Sequence, residues 1–313
     1  MKFSNLEFNL IMSNLILNQI CIMNKIKILF RALLGELIKL YYRIIPWSFS
    51  YGLNRSEIRK EKVIISLTSY GRRVKSVLPF TIISLLKQTY KPDKIILWLN
   101  ENHWNNENLP ISLLKLKKYG LEVCFCNDIK SYKKLIPTLI AYPNDVIITV
   151  DDDVYYRRDV VKLLIEAYRQ DPSRIYTHRA HQVLLSETGQ LKPYNDWTMN
   201  ISGSIGRSVF PTGVGGCLYK RSLLYSDICK ENLFMKLSPK ADDVWFYFME
   251  VLQHTQCAVL PYRGIMFIPL DALYQYFHVN SSLSASNCKD SQNDVQIRNV
   301  MAHYHLKDHD LVC

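Results

Sequence analysis

Between Val63 and Tyr168, short apolar runs alternate with amphipathic stretches, and successive runs start at intervals of about 30 residues. Val63–Leu67, Lys94–Leu99, Glu122–Phe125 and Val146–Val150 read as strands. Leu78, Ile82, Leu85 and Leu86 recur at helical spacing, with Pro79 tolerated in a first turn. Ile111–Tyr119 is helical, and Gly120 suits the position just past its end. Tyr132–Ala141 reads as a helix in spite of Pro137. Asp159–Tyr168 follows the last strand, with Asp159 at the positive end of the helix. Strands joined by helices need crossover connections, which make neighbouring strands parallel and cover both faces of the sheet. The expected class is therefore α/β: a Rossmann-like, mostly parallel sheet with helices on both faces. In such sheets ligands sit beyond the carboxyl ends of the strands.

An N-terminal leader of residues 1–60 precedes this pattern. From Asn24 to Trp47 the apolar residues Ile26, Phe30, Leu33, Leu37, Tyr41 and Ile44 recur every three or four positions. Lys27, Arg31, Lys39 and Arg43 fall at multiples of four on another face, and Pro46 stops the helix. This is a basic amphipathic helix able to lie in a bilayer interface; packing on the domain with a solvated basic face is the alternative. The main domain is expected over residues 61–313, with a donor half at 61–180 and an acceptor half with its tail at 181–313.

The chain has 39 Lys and Arg against 28 Asp and Glu, a net charge of +11. Residues 1–62 hold ten of the bases and four of the acids, so 10 − 4 = +6 lies at one end. A local basic end suits an anionic surface such as a phospholipid leaflet. Zinc-finger spacing, basic zippers and RNP-like patterns are absent, which argues against a nucleic-acid partner. The eight cysteines are irregularly spaced and read as free thiols in a reducing compartment. No run is long and apolar enough to span a membrane, and no signal-peptide pattern is evident. The expected location is cytoplasmic, at the inner face of the plasma membrane.

The fourth strand ends in three acids, in the run IITVDDD, Ile147 to Asp153. In extended chain Asp151 and Asp153 share a face and Asp152 takes the other. Two carboxylates ~6 Å apart repel by roughly 3 kcal/mol at an effective dielectric near 20. A shared proton, a solvated turn or a divalent cation could each accommodate them. An oxygen-only site suits Mg2+ or Mn2+, which leave positions open for phosphate oxygens.

The triplet resembles the DxD motif of GT-A glycosyltransferases, which use nucleotide-sugar donors. Other stretches resemble that family in the same order: VIISLTSYGRR at the nucleotide-binding start, DIKSYKKLIPTL before the DxD strand, PTGVGGCLY as the acceptor-side loop, and ADDVWF as the segment supplying a catalytic base. The likeness spans Val63 to Leu252, weakens at NDVQIRNV, and is nearest to bacterial enzymes of capsular and lipopolysaccharide synthesis. It implies metal ligation by Asp153 with Asp151, which would also face the nucleotide, and Asp152 between them in role. The family often adds a C-terminal histidine ligand, for which His278, His303 and His305 compete.

In that chemistry a cation stabilises the leaving diphosphate, and a carboxylate on the opposite face takes the proton of the attacking hydroxyl. Asp243 and Asp242 open a helix over Asp243–Leu252 and are the candidate base pair; one of them could simply cap the helix. Trp245, Phe246 and Phe248 look core-facing. Arg72 and Arg73 follow the first strand and can fork onto phosphate. Lys130, Lys133 and Lys134 add charge before the DxD strand, Thr68 could bond a nucleobase, and Tyr70 could stack on it. Gly213, Gly215 and Gly216 would allow close approach to a sugar, or make a tight turn. Asp196 and Trp197 lie in a plausible acceptor loop, although tryptophan is as often core.

The expected function is transfer of a sugar from a nucleotide sugar to a polysaccharide or lipid-linked acceptor, metal-dependent and inverting. The rivals are a retaining transferase, a sugar-nucleotide pyrophosphorylase, a haloacid-type phosphatase and a non-catalytic carbohydrate-binding protein. LTSYGRR lacks the glycine signature of the second, and Tyr155 stands where the third needs threonine.

Overall fold

The computed structural model describes residues 26–47, 50, 52–278 and 291–312. The helix α1 covers residues 26–44; its expected start at Asn24 lies outside the described residues. The chain continues through β1 (Val63–Thr68), α2 (Arg73–Ser76), α3 (Leu78–Leu86), β2 (Lys94–Asn100), α4 (Ile111–Lys117), β3 (Leu121–Cys126), α5 (Ile136–Ala141), β4 (Val146–Thr149) and β5 (Val154–Tyr156). Then come α6 (Val160–Gln170), β6 (Ile175–Thr177), β7 (Ala180–Gln182), β8 (Thr198–Ile201), β9 (Ile205–Gly206), β10 (Val209–Pro211) and β11 (Cys217–Tyr219). The last part holds α7 (Glu231–Leu237), α8 (Asp242–Leu252), β12 (Cys257–Val259), β13 (Phe267–Pro269), α9 (Ala272–Phe277) and α10 (Gln292–Tyr304).

The fold is α/β. An eight-stranded sheet runs β3-β2-β1-β4-β11-β6-β12-β9. Its first four strands are parallel, as the βα alternation requires. β11 enters antiparallel between β4 and β6, and β12 pairs parallel with β6. β4 shows how one strand serves both faces: Val146 and Ile148 join the core under α3, α4 and α6, and Ile147 joins the core under α5 and α8. The expected helix over Tyr132–Ala141 divides in two, a 3-10 turn at Lys130–Lys134 and then α5. Pro137 sits at the first turn of α5, where its missing N–H costs nothing, so it starts a helix instead of interrupting one.

α1 is oriented differently from the domain-packed alternative. Its basic stripe divides: Arg31 and Lys39 face the protein, while Lys27 and Arg43 are exposed. Arg31 donates to the Phe267 carbonyl at 2.7 Å, and Lys39 is buried and paired with Glu36 at 2.7 Å. Gly35 makes the approach possible, since a Cβ there would lie 2.2 Å from the Pro269 carbonyl oxygen. Tyr42 meets the Tyr155 hydroxyl at 2.9 Å. The apolar stripe is left in the open, with Phe30 60%, Leu37 60% and Ile44 70% exposed. No described helix is long and apolar enough to cross a membrane.

Candidate functional site

β4 delivers the acidic triplet to the carboxyl end of the sheet, where the chain turns before β5. The Asp151 N–H donates to the Tyr156 hydroxyl at 2.8 Å, and the Leu270 N–H donates to the Asp153 carbonyl at 2.8 Å, so the turn is held from two sides. The carboxylates divide as alternation predicts. Asp151 and Asp153 reach outward, with side chains 25% and 18% exposed, and Asp152 at 7% points in. Asp152 accepts from the Ser69 hydroxyl and from Arg73 Nη1 at 3.1 Å, and its carbonyl accepts from Thr81 at 2.8 Å. These contacts make it a structural anchor of the turn, with no oxygen directed to a nucleotide.

Two internal cations answer the crowding of charge. Arg73 spends its guanidinium on three acids: Asp152 at 3.1 Å, Asp153 at 3.1 Å and Asp271 at 3.3 Å. Lys134 lies 2.7 Å from Asp242, 3.5 Å from Asp151 and 3.6 Å from Asp243. Burial works against the Lys134 ammonium, but Asp242, Asp151 and Asp243 hold its pKa well above the usual value. The lysine thus ties the DxD turn to the first turn of α8, across ninety residues of sequence. Gly213 closes the group. Its N–H donates to Asp243 Oδ2 at 3.2 Å, and a Cβ there would lie 2.6 Å from Lys134 Nζ and 3.0 Å from Asp151 Oδ1.

The acids remain in excess. Asp151, Asp152, Asp153, Asp242, Asp243 and Asp271 face Arg72, Arg73 and Lys134. Burial, together with Asp153, lifts Asp152 to about 7, and burial with Asp151 and Asp271 raises Asp153. Burial also lifts Asp243 to about 6, against the pull of Lys134. Net negative charge of this kind fits a divalent cation. Among the described residues, however, no three His, Cys, Asp or Glu side chains converge as a ready-made ligand set.

The other expected site residues separate into those at this cluster and those elsewhere. Arg72, 35% exposed, pairs with Asp271 at 2.5 Å and stacks on the Tyr274 ring. Tyr70 is half exposed beside Arg73, and Thr68 donates to the Trp98 carbonyl at 2.9 Å. Lys133 is not available to phosphate, because it is buried and paired with Asp128. Trp197 is not an exposed platform either: it is buried between Tyr194 and Phe210, and its Nε1–H donates to the Lys192 carbonyl. Gly215 and Gly216 adopt φ of +107° and +101°, which favour glycine, and Gly216 packs on Val160, Leu164 and the Thr149 carbonyl. Of the loop glycines, Gly213 is the one against the charged groups. Asp196 ends a 3-10 turn next to Trp197 and is exposed. Of the three histidines, His278 lies on this side, stacked on Tyr274, whereas His303 is on α10, packed against α7 and α8, and His305 caps that helix.

Two residues escaped the sequence reading. Asp271 is buried and grips both arginines, and Gln275 donates to Asp153 at 3.1 Å. In sequence, Asp271 looks like an ordinary acid before a short helix, and only its long-range partners set it apart.

Neither family models nor the sequences of curated proteins give a match to this chain. Among solved structures, the trace is similar to CMP:2-keto-3-deoxy-manno-octonic acid synthetase complexed with CTP, at 11% identity and TM-score 0.40, over 71% of this chain and 99% of that one. It is similar to S. aureus TarS 1–349 at 13% identity and TM-score 0.43, over 70% of this chain and 64% of that one. It is also similar to the mannosyltransferase PcManGT from Pyrobaculum calidifontis in complex with GDP-Man and Mn2+, at 11% identity and TM-score 0.40, over 78% and 66%. The chain spans just under two thirds of the length of the last two.

Proposed function

We propose that residues 61–313 form a glycosyltransferase domain of the GT-A kind, moving a sugar from a nucleotide sugar to a glycan or lipid-linked acceptor. One observation carries this reading. Lys134 holds a carboxylate of the strand-end triplet and both carboxylates of the α8 pair within 3.6 Å of a single ammonium. The strand-end acid and the candidate base are thereby brought side by side at the carboxyl end of the sheet, within reach of one bound donor and acceptor.

Asp243 is the base. It is the more exposed of its pair, at 32% against 11%, and the Gly213 N–H fixes one of its oxygens. It takes the proton of the acceptor hydroxyl as that oxygen bonds the anomeric carbon. The bond from that carbon to the diphosphate breaks with its electron pair on the leaving oxygen, and configuration inverts. Asp242, facing Lys134 at 2.7 Å, keeps the ammonium in place. Arg72 is the arginine available to the diphosphate, because Arg73 is committed to its three carboxylates. Asp151 and Asp153 are the residues that would hold Mn2+ or Mg2+, which when bound supplies positive charge at the leaving diphosphate.

The exposed apolar stripe of α1 suits contact with a membrane through residues 24–45, at the cytoplasmic leaflet where a lipid-linked acceptor would be. The function is tested by incubating the full chain with UDP-, GDP-, dTDP- and CMP-sugars and membrane lipid extract. Release of the nucleotide only when extract is present supports transfer. Formation of nucleoside triphosphate and sugar 1-phosphate when pyrophosphate is supplied instead of extract, or no release from any donor, refutes it. Proton NMR of the fresh product gives the anomeric configuration.

A further inference from the structure

Arg179 stands beside the loop that carries Gly213, its guanidinium held by two groups and its charge unmatched. Nε donates to Asn200 Oδ1 at 2.6 Å, and Nη1 donates to Thr212 Oγ1 at 3.1 Å. Both partners are neutral. Among the described residues no carboxylate lies within ion-pair distance of Arg179; Arg59, Arg72, Arg73, Arg157 and Arg174 each have one, while Arg31, Arg169, Arg207 and Arg221 share its lack of one. Its main chain is fastened as well: the Thr212 N–H donates to the Arg179 carbonyl at 3.1 Å. The next residue, Gly213, carries the N–H that bonds Asp243. Arg179 is thus linked to the base through Thr212 and Gly213.

The residues behind it are arranged to hold it there. The Asn200 N–H donates to His181 Nδ1 at 3.1 Å. His181 is buried, and burial together with Arg179 depresses its pKa to about 4, so its ring is a neutral acceptor. Asn200 itself adopts φ +57°, a left-handed conformation that asparagine tolerates better than most residues. A buried neutral histidine therefore positions an asparagine that positions an arginine. Arg179 is half-buried, and Nε and Nη1 are the nitrogens taken up by these two bonds. A guanidinium held this way has lost its rotational freedom in advance and lacks only a counter-ion.

We infer that Arg179 is an anion-recognition residue on the acceptor side, and that the acceptor carries a carboxylate or phosphate beside the hydroxyl that receives the sugar. The inference rests on the transfer reading for which side is called acceptor; the fixed, unmatched cation does not depend on it. The donor diphosphate shares this chemistry, so the test separates the two sources. The full chain, with and without saturating nucleoside diphosphate, is titrated with glucuronate, glucose 6-phosphate and neutral glucose, and binding is followed by NMR. The expected result is a preference of about tenfold or more for both anionic sugars over glucose, the range of one charge-assisted hydrogen bond. Arg179→Gln abolishes that preference and leaves affinity for nucleoside diphosphate within about twofold of the unaltered chain. Asn200→Gly, which keeps the backbone conformation but frees the guanidinium, weakens the preference without lowering the melting temperature; it serves if Arg179→Gln does not fold.

No preference in the unaltered chain, or a preference that survives both substitutions, overturns the inference. Loss of nucleoside diphosphate affinity in Arg179→Gln moves the residue to the donor side and equally overturns it. If no nucleoside diphosphate binds yet the Arg179-dependent preference is found, the transferase reading falls while the anion site stands.

Discussion

Replacing Lys134 with methionine tests whether the two halves of the site are held together by charge. The ammonium is enclosed, with its side chain 8% exposed, and it faces three carboxylates at 2.7, 3.5 and 3.6 Å. At ~3.5 Å and an effective dielectric near 20, one such pair is worth about 5 kcal/mol of Coulomb energy, opposed by the cost of desolvating the lysine. Removing one partner of a buried ion cluster typically costs about 3–5 kcal/mol because the remaining charges are left uncompensated. For a domain of this size that is a fall in melting temperature of roughly 10 °C. The loss should depend on pH in a defined direction. Lys134 has a raised pKa, so its contribution is fully present below the unfolded lysine value and intact at pH 8. Without it, the carboxylates of the cluster repel one another as anions, so the deficit is largest at pH 8 and shrinks as Asp243, lifted to about 6 by burial, takes up a proton towards pH 5. Melting curves by circular dichroism at pH 5, 6.5 and 8 read both effects. Adding Asp242→Asn to Lys134→Met should recover more than half of the lost stability. A loss below about 1 kcal/mol, or one independent of pH, would refute the reasoning, since it would mean that the lysine is solvated and the cluster is not a unit.

Asp243→Asn should lower kcat by about a thousandfold, within the usual range for a general base, while leaving nucleoside diphosphate affinity nearly unchanged. If the transfer reading holds, the raised Asp243 pKa places the acid limb of the rate profile of the unaltered chain near pH 6, with activity rising as pH increases through it. Serine at Leu33, Leu37 and Ile44 should reduce sedimentation with anionic phospholipid vesicles by several-fold without lowering the melting temperature, because those side chains are already exposed. Glu250 lies on α8 and is buried, its Oε1 has no hydrogen-bond partner, and burial followed by the nearby Asp243 raises its pKa well above the usual value. It holds a proton in the folded chain that it would release on unfolding, so stability falls as pH rises above the unfolded value. Glu250→Gln should therefore be more stable than the unaltered chain at pH 8 by about 1–2 kcal/mol, with the gap closing near pH 4.

The parallel half of the sheet was legible because its strands are long apolar runs separated by helical periods. β11 and β12 are three residues each, too short for periodicity to register, and the antiparallel insertion of β11 depends on partners far away in the chain. The triplet and the α8 acids could be found from the sequence because they abut apolar elements. What joins them could not: Lys134 sits in a run of three basic positions where only the 3-10 turn decides which side chain is enclosed with the acids. Trp197 had the residue type expected for sugar stacking, but its environment is the cluster of Tyr194 and Phe210. On α1 the spacing marked the apolar stripe, but the basic positions divide, with Arg31 and Lys39 inward and Lys27 and Arg43 exposed; the close packing at Gly35 is a matter of backbone clearance that hydropathy does not record.

The most direct test of the nucleotide-sugar reading is isothermal titration of the full chain with UDP, GDP, CDP and dTDP, each with Mn2+ and with chelator. One nucleotide should bind in the micromolar range, more tightly with the ion, and lose that advantage when Asp151 and Asp153 are both changed to asparagine. Absence of binding by all four under both conditions would contradict it.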